Sequence, residues 1–269
     1  MSNRAARWIS GKLQALEALR TQALHFRNYR AVFRAYRDKV APPPLELRNG
    51  FVLYHGPADN PWSLWREIFV DEAYTGDGFY TPRAGHTVLD VGANIGFFAV
   101  YLLGLERAVS VHAFEPSTAN RERLAKNIAA NGLDTAVVVH ALAILDRAGT
   151  ATLYTAKDAG SRSLFAGDDA GETVVCVSLD EAVERSKSKR VDLLKLDVEG
   201  AEIEILESGS RETWRRIHRV ALEVHEAIRP GARERVVRTL KAKYRYVKVS
   251  RRSRNGGLAI VRATDLALT

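Results

Sequence analysis

The chain has 269 residues, 46% hydrophobic and 27% charged, with a formal net charge of +8; that buries the core of one large domain plus an extension, not of two full domains. Its single cysteine, Cys176, excludes an intramolecular disulfide and a zinc site built on several thiolates, which suits a reducing compartment, so a cytoplasmic location is expected. No run of about 18 apolar residues marks a membrane span, and Trp8-Ile9-Ser10-Gly11 between Arg7 and Lys12 does not read as a signal peptide.

The charge is unevenly placed. Residues 1–40 carry +7 and residues 229–254 carry +10, whereas 41–228 carry −9. Such polarity attracts an anionic substrate, a membrane surface or nucleic acid, but charge alone names no partner, because basic segments are most often solvated faces.

In chain order, Trp8, Leu13, Leu16, Leu19 and Leu24, then Phe26, Tyr29, Val32, Phe33 and Tyr36, recur at helical spacing with basic residues between them, which predicts a basic arm of two helices over 1–42. Pro42-Pro43-Pro44 ends the arm, since proline lacks an amide proton and restricts the residue before it. The main domain is expected from 43 to 269. Leu45 to Leu53 alternates around Asn49-Gly50, the pattern of a small hairpin with a two-residue turn. A helix follows at 61–73.

Apolar β-rich runs at 86–91, 109–114, 135–140, 191–196 and 218–224 then alternate with helical stretches at 96–104, 118–131, 201–208 and 231–241. That rhythm predicts βαβ units and a doubly wound, mostly parallel α/β sheet. Tyr244–Val249 and Leu258–Val261 close the chain as an antiparallel pair. Gly160-Ser161-Arg162-Ser163-Leu164-Phe165 is polar enough for an acceptor loop, with Arg162 available to an anionic or hydroxyl-rich ligand.

The sharpest local signal is Val88-Leu89-Asp90-Val91-Gly92-Ala93-Asn94-Ile95-Gly96-Phe97-Phe98, a buried strand entering a glycine turn and then a helix. Gly92 and Gly96 let the backbone approach a ligand where a side chain would collide. A dinucleotide site would want glycine at Asn94 and usually at Phe97, so that a pyrophosphate could lie on the helix N-terminus. Instead Asp90 supplies a carboxylate, which repels pyrophosphate and accepts hydrogen bonds, direct or mediated, from an ammonium-bearing ligand. Nineteen residues past Gly96, Glu115 ends the next strand, where a carboxylate can hold both ribose hydroxyls. Taken alone, Glu115 fits nicotinamide enzymes and methyltransferases equally.

Asp197 and Glu199, beside Gly200, stand at the end of a later strand and are the leading polar candidates for a reaction centre. A divalent-metal chelate by this pair stays open, although no metal site is predicted. On the next strand, alternation puts Ala221, Glu223 and His225 on one side, so Glu223 and His225 can both reach the crevice. His225, with an unperturbed pKa near neutrality, is the first choice for general base.

Asp90 to Gly96 resembles the first motif of class I methyltransferases. His112-Ala113-Phe114-Glu115-Pro116, Ala141-Leu142-Ala143 and Leu194-Lys195-Leu196-Asp197-Val198-Glu199-Gly200-Ala201-Glu202 narrow the resemblance to the FkbM-type family over roughly residues 86–226. The resemblance implies a Rossmann-like sheet of seven strands, S-adenosylmethionine as cofactor held by Asp90, Gly92, Asn94, Gly96 and Glu115, and Ala141 and Leu142 at the adenine edge. It also implies O-methylation of a hydroxyl on a sugar, glycan or polyketide-type acceptor. The first 45 residues and the tail after about 228 match no motif and hold most of the positive charge.

Two other functions remain open at this level. A nucleic-acid methyltransferase would explain the basic ends, but no Asn/Asp-Pro-Pro-aromatic tetrapeptide occurs, and Cys176 within Val174-Val175-Cys176-Val177 lacks a preceding proline, unlike a pyrimidine-attacking nucleophile. The other is a non-catalytic scaffold that keeps S-adenosylmethionine as a structural ligand. Arg27, Arg30, Arg34 and Arg37, interleaved with aromatics, suggest docking to an anionic membrane surface or a phosphate-bearing carrier.

Overall fold

A computed structural model describes residues 17, 19–57, 59–155, 162–163, 171–251 and 258–265. The first half of the expected arm and most of the expected acceptor loop, Gly160, Ser161, Leu164 and Phe165, lie outside the described residues. Contacts divide the chain into two units, Met1–Pro57 and Ala58–Thr269. Among the described residues, no helix is long and apolar enough to cross a membrane.

In the first unit, residues 19–25 are helical and helix α1 (Tyr29–Asp38) ends with Lys39 in the left-handed conformation, before the prolines. Strands β1 (Leu45–Glu46) and β2 (Val52–Leu53) form the expected hairpin. Its loop spans three residues rather than two: Leu47 N donates to Phe51 O at 2.7 Å, and Gly50 takes φ +95, the glycine position of a three-residue turn. The hairpin belongs to the helical unit rather than to the larger one. Arg27 N donates to Glu46 O at 2.7 Å, the Asn28 side chain bonds Pro44 O and Glu46 N, and Phe26, Leu45 and Leu53 are fully buried.

The second unit opens with helix α2 (Pro61–Trp65), capped by the Asn60 side chain and continued by a π-helical turn, Arg66–Val70. Seven strands build the main sheet: β3 (Thr87–Val91), β4 (Ser110–Phe114), β5 (Val137–His140), β10 (Leu193–Leu196), β11 (Arg219–His225), β12 (Tyr246–Arg251) and β13 (Leu258–Thr264). Their order is β12-β13-β11-β10-β3-β4-β5. The five from β11 to β5 are parallel and β13 is antiparallel to both neighbours. All seven expected strands are present. Every residue of β3 and β10 is buried, as in a parallel sheet covered on both faces.

Helices α3 (Phe97–Leu105), α4 (Thr118–Ala130), α5 (Leu179–Arg185), α6 (Glu202–Ser208), α7 (Arg211–Arg216) and α8 (Ala232–Lys241) connect these strands. Ser117 caps α4, and Ser178 with Glu181 forms a capping box on α5. Ile205, Leu206, Val236 and Leu240 join β10, β11 and β13 in one apolar core.

A second sheet was not expected: β6 (Ala143–Leu145), β7 (Gly149–Thr155), β8 (Arg162–Ser163) and β9 (Glu172–Ser178), in the order β6-β9-β7-β8. It has its own small core of Ala143, Leu153, Val174 and Cys176. Cys176 is thereby a buried packing residue.

Arg262 on β13 donates to the carbonyls of Glu72, Ala73 and Gly76 at 2.8–3.2 Å. One guanidinium thus gathers the loop that follows the π-helical turn, and that loop carries Tyr74.

Candidate functional site

The parallel strands end along one edge, where an open α/β sheet binds ligands. A cavity of about 580 Å³ lies there, lined by Gly92, Asn94, Phe114, Glu115, Leu142, Asp197, Glu199, Glu223 and His225 among others. The glycine turn, the carboxylate after β4 and the polar groups after β10 and on β11 thus share one wall.

The turn after β3 is built on close approach. Gly92 has φ +74, and a Cβ there would stand 1.8 Å from Asp197 O. Only glycine fits beside the incoming end of β10. Gly96 serves packing instead: it starts α3 at φ +84 with Leu124 of α4 3.1 Å from where its Cβ would be, and it does not line the cavity. Asn94 at φ 51 gives its backbone N–H to Glu115 Oε2 at 2.8 Å. Glu115 Oε1 accepts from Ser117 N at 2.9 Å. The buried carboxylate therefore ties the two turns together while facing the cavity, and its remaining lone pairs can serve a diol.

Asp90 lies elsewhere than its expected role requires. It is fully buried and is not on the cavity wall. The β3–β10 register sets it beside Lys195, whose ammonium is 3.2 Å from Asp90 Oδ1 and donates to Gly92 O at 2.7 Å. Burial raises the Asp90 pKa in spite of Lys195. Burial works against the Lys195 charge, but Asp90 and Asp197 outweigh it and raise its pKa. The cation expected from a ligand is supplied by the protein's own lysine.

Ala141 is exposed and off the wall, which Leu142, Ala143 and Ile144 form instead. Pairing carries the chain inward there, since Ala143 is the first residue of β6.

At the other end of the cleft, Asp197, Glu199, Glu223 and His225 converge. Glu199 adopts φ 52 and Gly200 φ 109, so the chain turns sharply after β10 and brings both carboxylates to one ring. His225 Nε2 is 3.2 Å from Glu199 Oε2 and 3.9 Å from Asp197 Oδ1. Its Nδ1 is 2.7 Å from Glu202 Oε1. Burial disfavours the imidazolium, but the hydrogen bond to Glu202 and the charges of Glu199 and Asp197 overcome it and raise the pKa to about 10. A histidine that already carries its proton at neutral pH is not a general base. The Glu199 carboxyl, raised to about 7 mainly by burial with Asp197 and Glu202 adding to it against His225, is one carboxylate of this cluster able to accept one.

Sequence reasoning missed Lys195 as a partner, together with Glu67, Tyr74 and Glu202. Tyr74 is buried and its hydroxyl lies 2.8 Å from Glu67 Oε1, 3.2 Å from Asp197 Oδ2 and 3.4 Å from Glu223 Oε2. A lone lysine inside the apolar run Leu193–Leu196 was the one available signal. Tyr74 and Glu67 precede the sheet in sequence and sit in no motif.

Below the expected adenine edge, Phe114 stacks on His140 with centroids 4.4 Å apart, and His112 Nδ1 is 3.1 Å from His140 Nε2. Burial, then the charges of His112 and Arg185, lower the His140 pKa to about 4. The folded value lies below the unfolded one of about 6.5, so the unfolded chain binds the extra proton first and stability falls as pH drops from about 6.5 to about 4. After discounting for partial exposure, about 1–2 kcal/mol should be lost over that window. Urea unfolding at pH 7 and pH 5 should show it, and His140→Gln should flatten the slope; an unchanged slope would dismiss this origin.

The FkbM methyltransferase domain matches residues 90–246. The chain is 31% identical over 229 residues to 31-O-demethyl-FK506 methyltransferase FkbM of Streptomyces tacrolimicus, covering 73% of this chain and 86% of that protein. It is 30% identical over 206 residues to AMB antimetabolite synthetase AmbE of Pseudomonas aeruginosa, covering 63% of this chain. That stretch spans only 10% of AmbE. Among solved structures, a methyltransferase FkbM from Methylobacillus flagellatus superposes with a TM-score of 0.52 at 14% identity, covering 95% of this chain and 60% of that one. With a matched domain that holds the glycine turn, Glu115, Asp197, Glu199, Glu223 and His225, this chain belongs to the FkbM methyltransferase family and is an S-adenosylmethionine-dependent methyltransferase.

Proposed function

We propose that the chain transfers a methyl group to a hydroxyl of a small-molecule or glycan acceptor, giving an O-methyl product. The observation that carries this reading is the shared cleft in which the glycine turn and Glu115 meet the Asp197, Glu199, Glu223 and His225 cluster. S-adenosylmethionine supplies a methyl group already activated on a sulfonium. Glu115 would hold the ribose hydroxyls, Gly92 and Asn94 would leave room for the ligand against the backbone, and Leu142 with Ile144 would cover the flat base. The carboxylates at the far end suit the positive charge of the cofactor's methionine half and sulfonium. They also offer an acceptor for the hydroxyl proton, released as the oxygen attacks in line. The name of the Streptomyces tacrolimicus relative, a 31-O-demethyl-FK506 methyltransferase, supports oxygen as the methylated atom.

Calorimetric titration with S-adenosylmethionine, and separately with NAD, tests the cofactor half. Binding of S-adenosylmethionine alone, weakened at least about tenfold by Glu115→Ala through loss of charge-assisted hydrogen bonds, is expected. A preference for NAD would overturn the reading. Methyl transfer from labelled cofactor to a panel of hydroxylated acceptors, with the product's linkage read by mass spectrometry, tests the acceptor half; binding with no turnover on any of them would leave a scaffold.

A further inference from the structure

We infer that Asp197, Glu223 and His225 form a binding site for one divalent metal ion at the floor of the cleft. Only the ion's part in the reaction rests on the methyl-transfer reading. One ligand atom from each residue lies within 4.8 Å of the other two, close to the ~4.2 Å that spans two ligands on opposite sides of a small divalent ion. The strands enforce this grouping. Parallel pairing of β10 with β11 sets Leu196 opposite Leu222, so Asp197 emerges beside Glu223, and His225 follows two residues on along the same face.

An independent feature is the far side of the imidazole. His225 Nδ1 is 2.7 Å from Glu202 Oε1, and the same oxygen accepts from Gly200 N at 3.0 Å. Glu202 is completely buried, and its Oε2 has no hydrogen-bond partner among the described residues. A buried carboxylate bound to the ring nitrogen opposite the ligating one orients metal-binding histidines and strengthens them as ligands. A surface-capping histidine needs no such partner. Here it leaves Nε2 aimed at Asp197 and Glu199.

The charge around the site points the same way. The Tyr74 hydroxyl contacts Glu67, Asp197 and Glu223 but has one proton to give. Lys195, 3.8 Å from Asp197, is shared with Asp90. A divalent ion would put two positive charges beside Asp197 and Glu223 where the imidazolium proton puts one. It would take the place of the Nε2 proton, which leaves to solvent. Facing the cleft, it would hold the acceptor oxygen and favour loss of its proton to Glu199. Two carboxylates and one imidazole suit a first-row divalent ion such as Mn²⁺.

The test titrates the full chain, stripped with chelator, with Mn²⁺ alone, by calorimetry and by electron paramagnetic resonance of the bound ion. One Mn²⁺ per chain is expected, with affinity at least tenfold lower in Glu223→Gln and about 10- to 100-fold lower in Glu202→Gln. Circular dichroism and thermal melting show that each variant is folded, and S-adenosylmethionine is titrated separately into the wild type. Absence of Mn²⁺ uptake by the wild type at millimolar concentration overturns the site, as does equal uptake by wild type and Glu223→Gln. S-adenosylmethionine binding without Mn²⁺ binding rejects the metal alone. Mn²⁺ binding without S-adenosylmethionine binding rejects the cofactor reading and leaves the metal standing.

Discussion

Gly92→Ala should destabilise the protein by about 2–4 kcal/mol and weaken S-adenosylmethionine binding by more than an order of magnitude, the sum of a left-handed backbone forced on a side chain and of overpacking. The new methyl carbon would meet Asp197 O at 1.8 Å, and that carbonyl belongs to backbone, so it cannot rotate aside. Relief requires β10 to move away from the turn after β3. That motion strains the Asp197 N–H bond to Val91 O, 3.0 Å, and the Lys195 bond to Gly92 O. Gly85→Ala is the control: Gly85 has a similar φ of +80 with no atom within 4 Å of its added Cβ, so only the backbone cost of about 1–2 kcal/mol remains. Thermal melts with cofactor titration separate the two. Equal losses in both variants would show that conformation alone, and not the approach of β10, reserves position 92 for glycine.

Lys195→Met should cost about 3–5 kcal/mol, because removing one partner of a buried ion pair strands the other. Asp90 is completely buried and, apart from the Lys195 ion pair, neither of its carboxylate oxygens has a hydrogen-bond partner among the described residues, so nothing replaces the ammonium. The double variant Lys195→Met/Asp90→Asn should recover much of the loss, since a neutral amide costs far less to bury. Urea midpoints of the wild type, the two single variants and the double variant form the cycle. A double variant no more stable than Lys195→Met would mean that the lysine acts chiefly through Asp197 or Gly92 O.

The main sheet was legible because its parallel strands are apolar-rich runs alternating with helical stretches, and the fully buried strands β3 and β10 are the extreme case. The four-stranded sheet was not. Its strand β9 is only partly buried, and β7 and β8 gain their meaning from pairing partners rather than from periodicity. At the site, Glu115, Asp197 and Glu199 could be placed on the correct edge from their positions at strand ends, and Glu223 and His225 from alternation. Their states could not, because those come from register across strands. Asp90 looked like a ligand contact until Lys195 came alongside it, and His225 looked like a base until Glu202 and Glu199 bracketed it. Glu202 was visible in the motif, but its one-turn return to His225 depends on the left-handed bend at Glu199.

The Arg262 clamp sets an order on the birth of the cleft. The loop that holds Tyr74 leaves the ribosome long before its anchor, since Glu72 and Arg262 are separated by 190 residues. At about 5–20 residues per second, that interval lasts about 10–40 s. During it, a nascent chain can assemble β3, α3 and β4 around the glycine turn. The tyrosine loop waits unfastened until β13 emerges and slides between β11 and β12, so the protein can hold a ligand-shaped turn well before it has a finished reaction chamber.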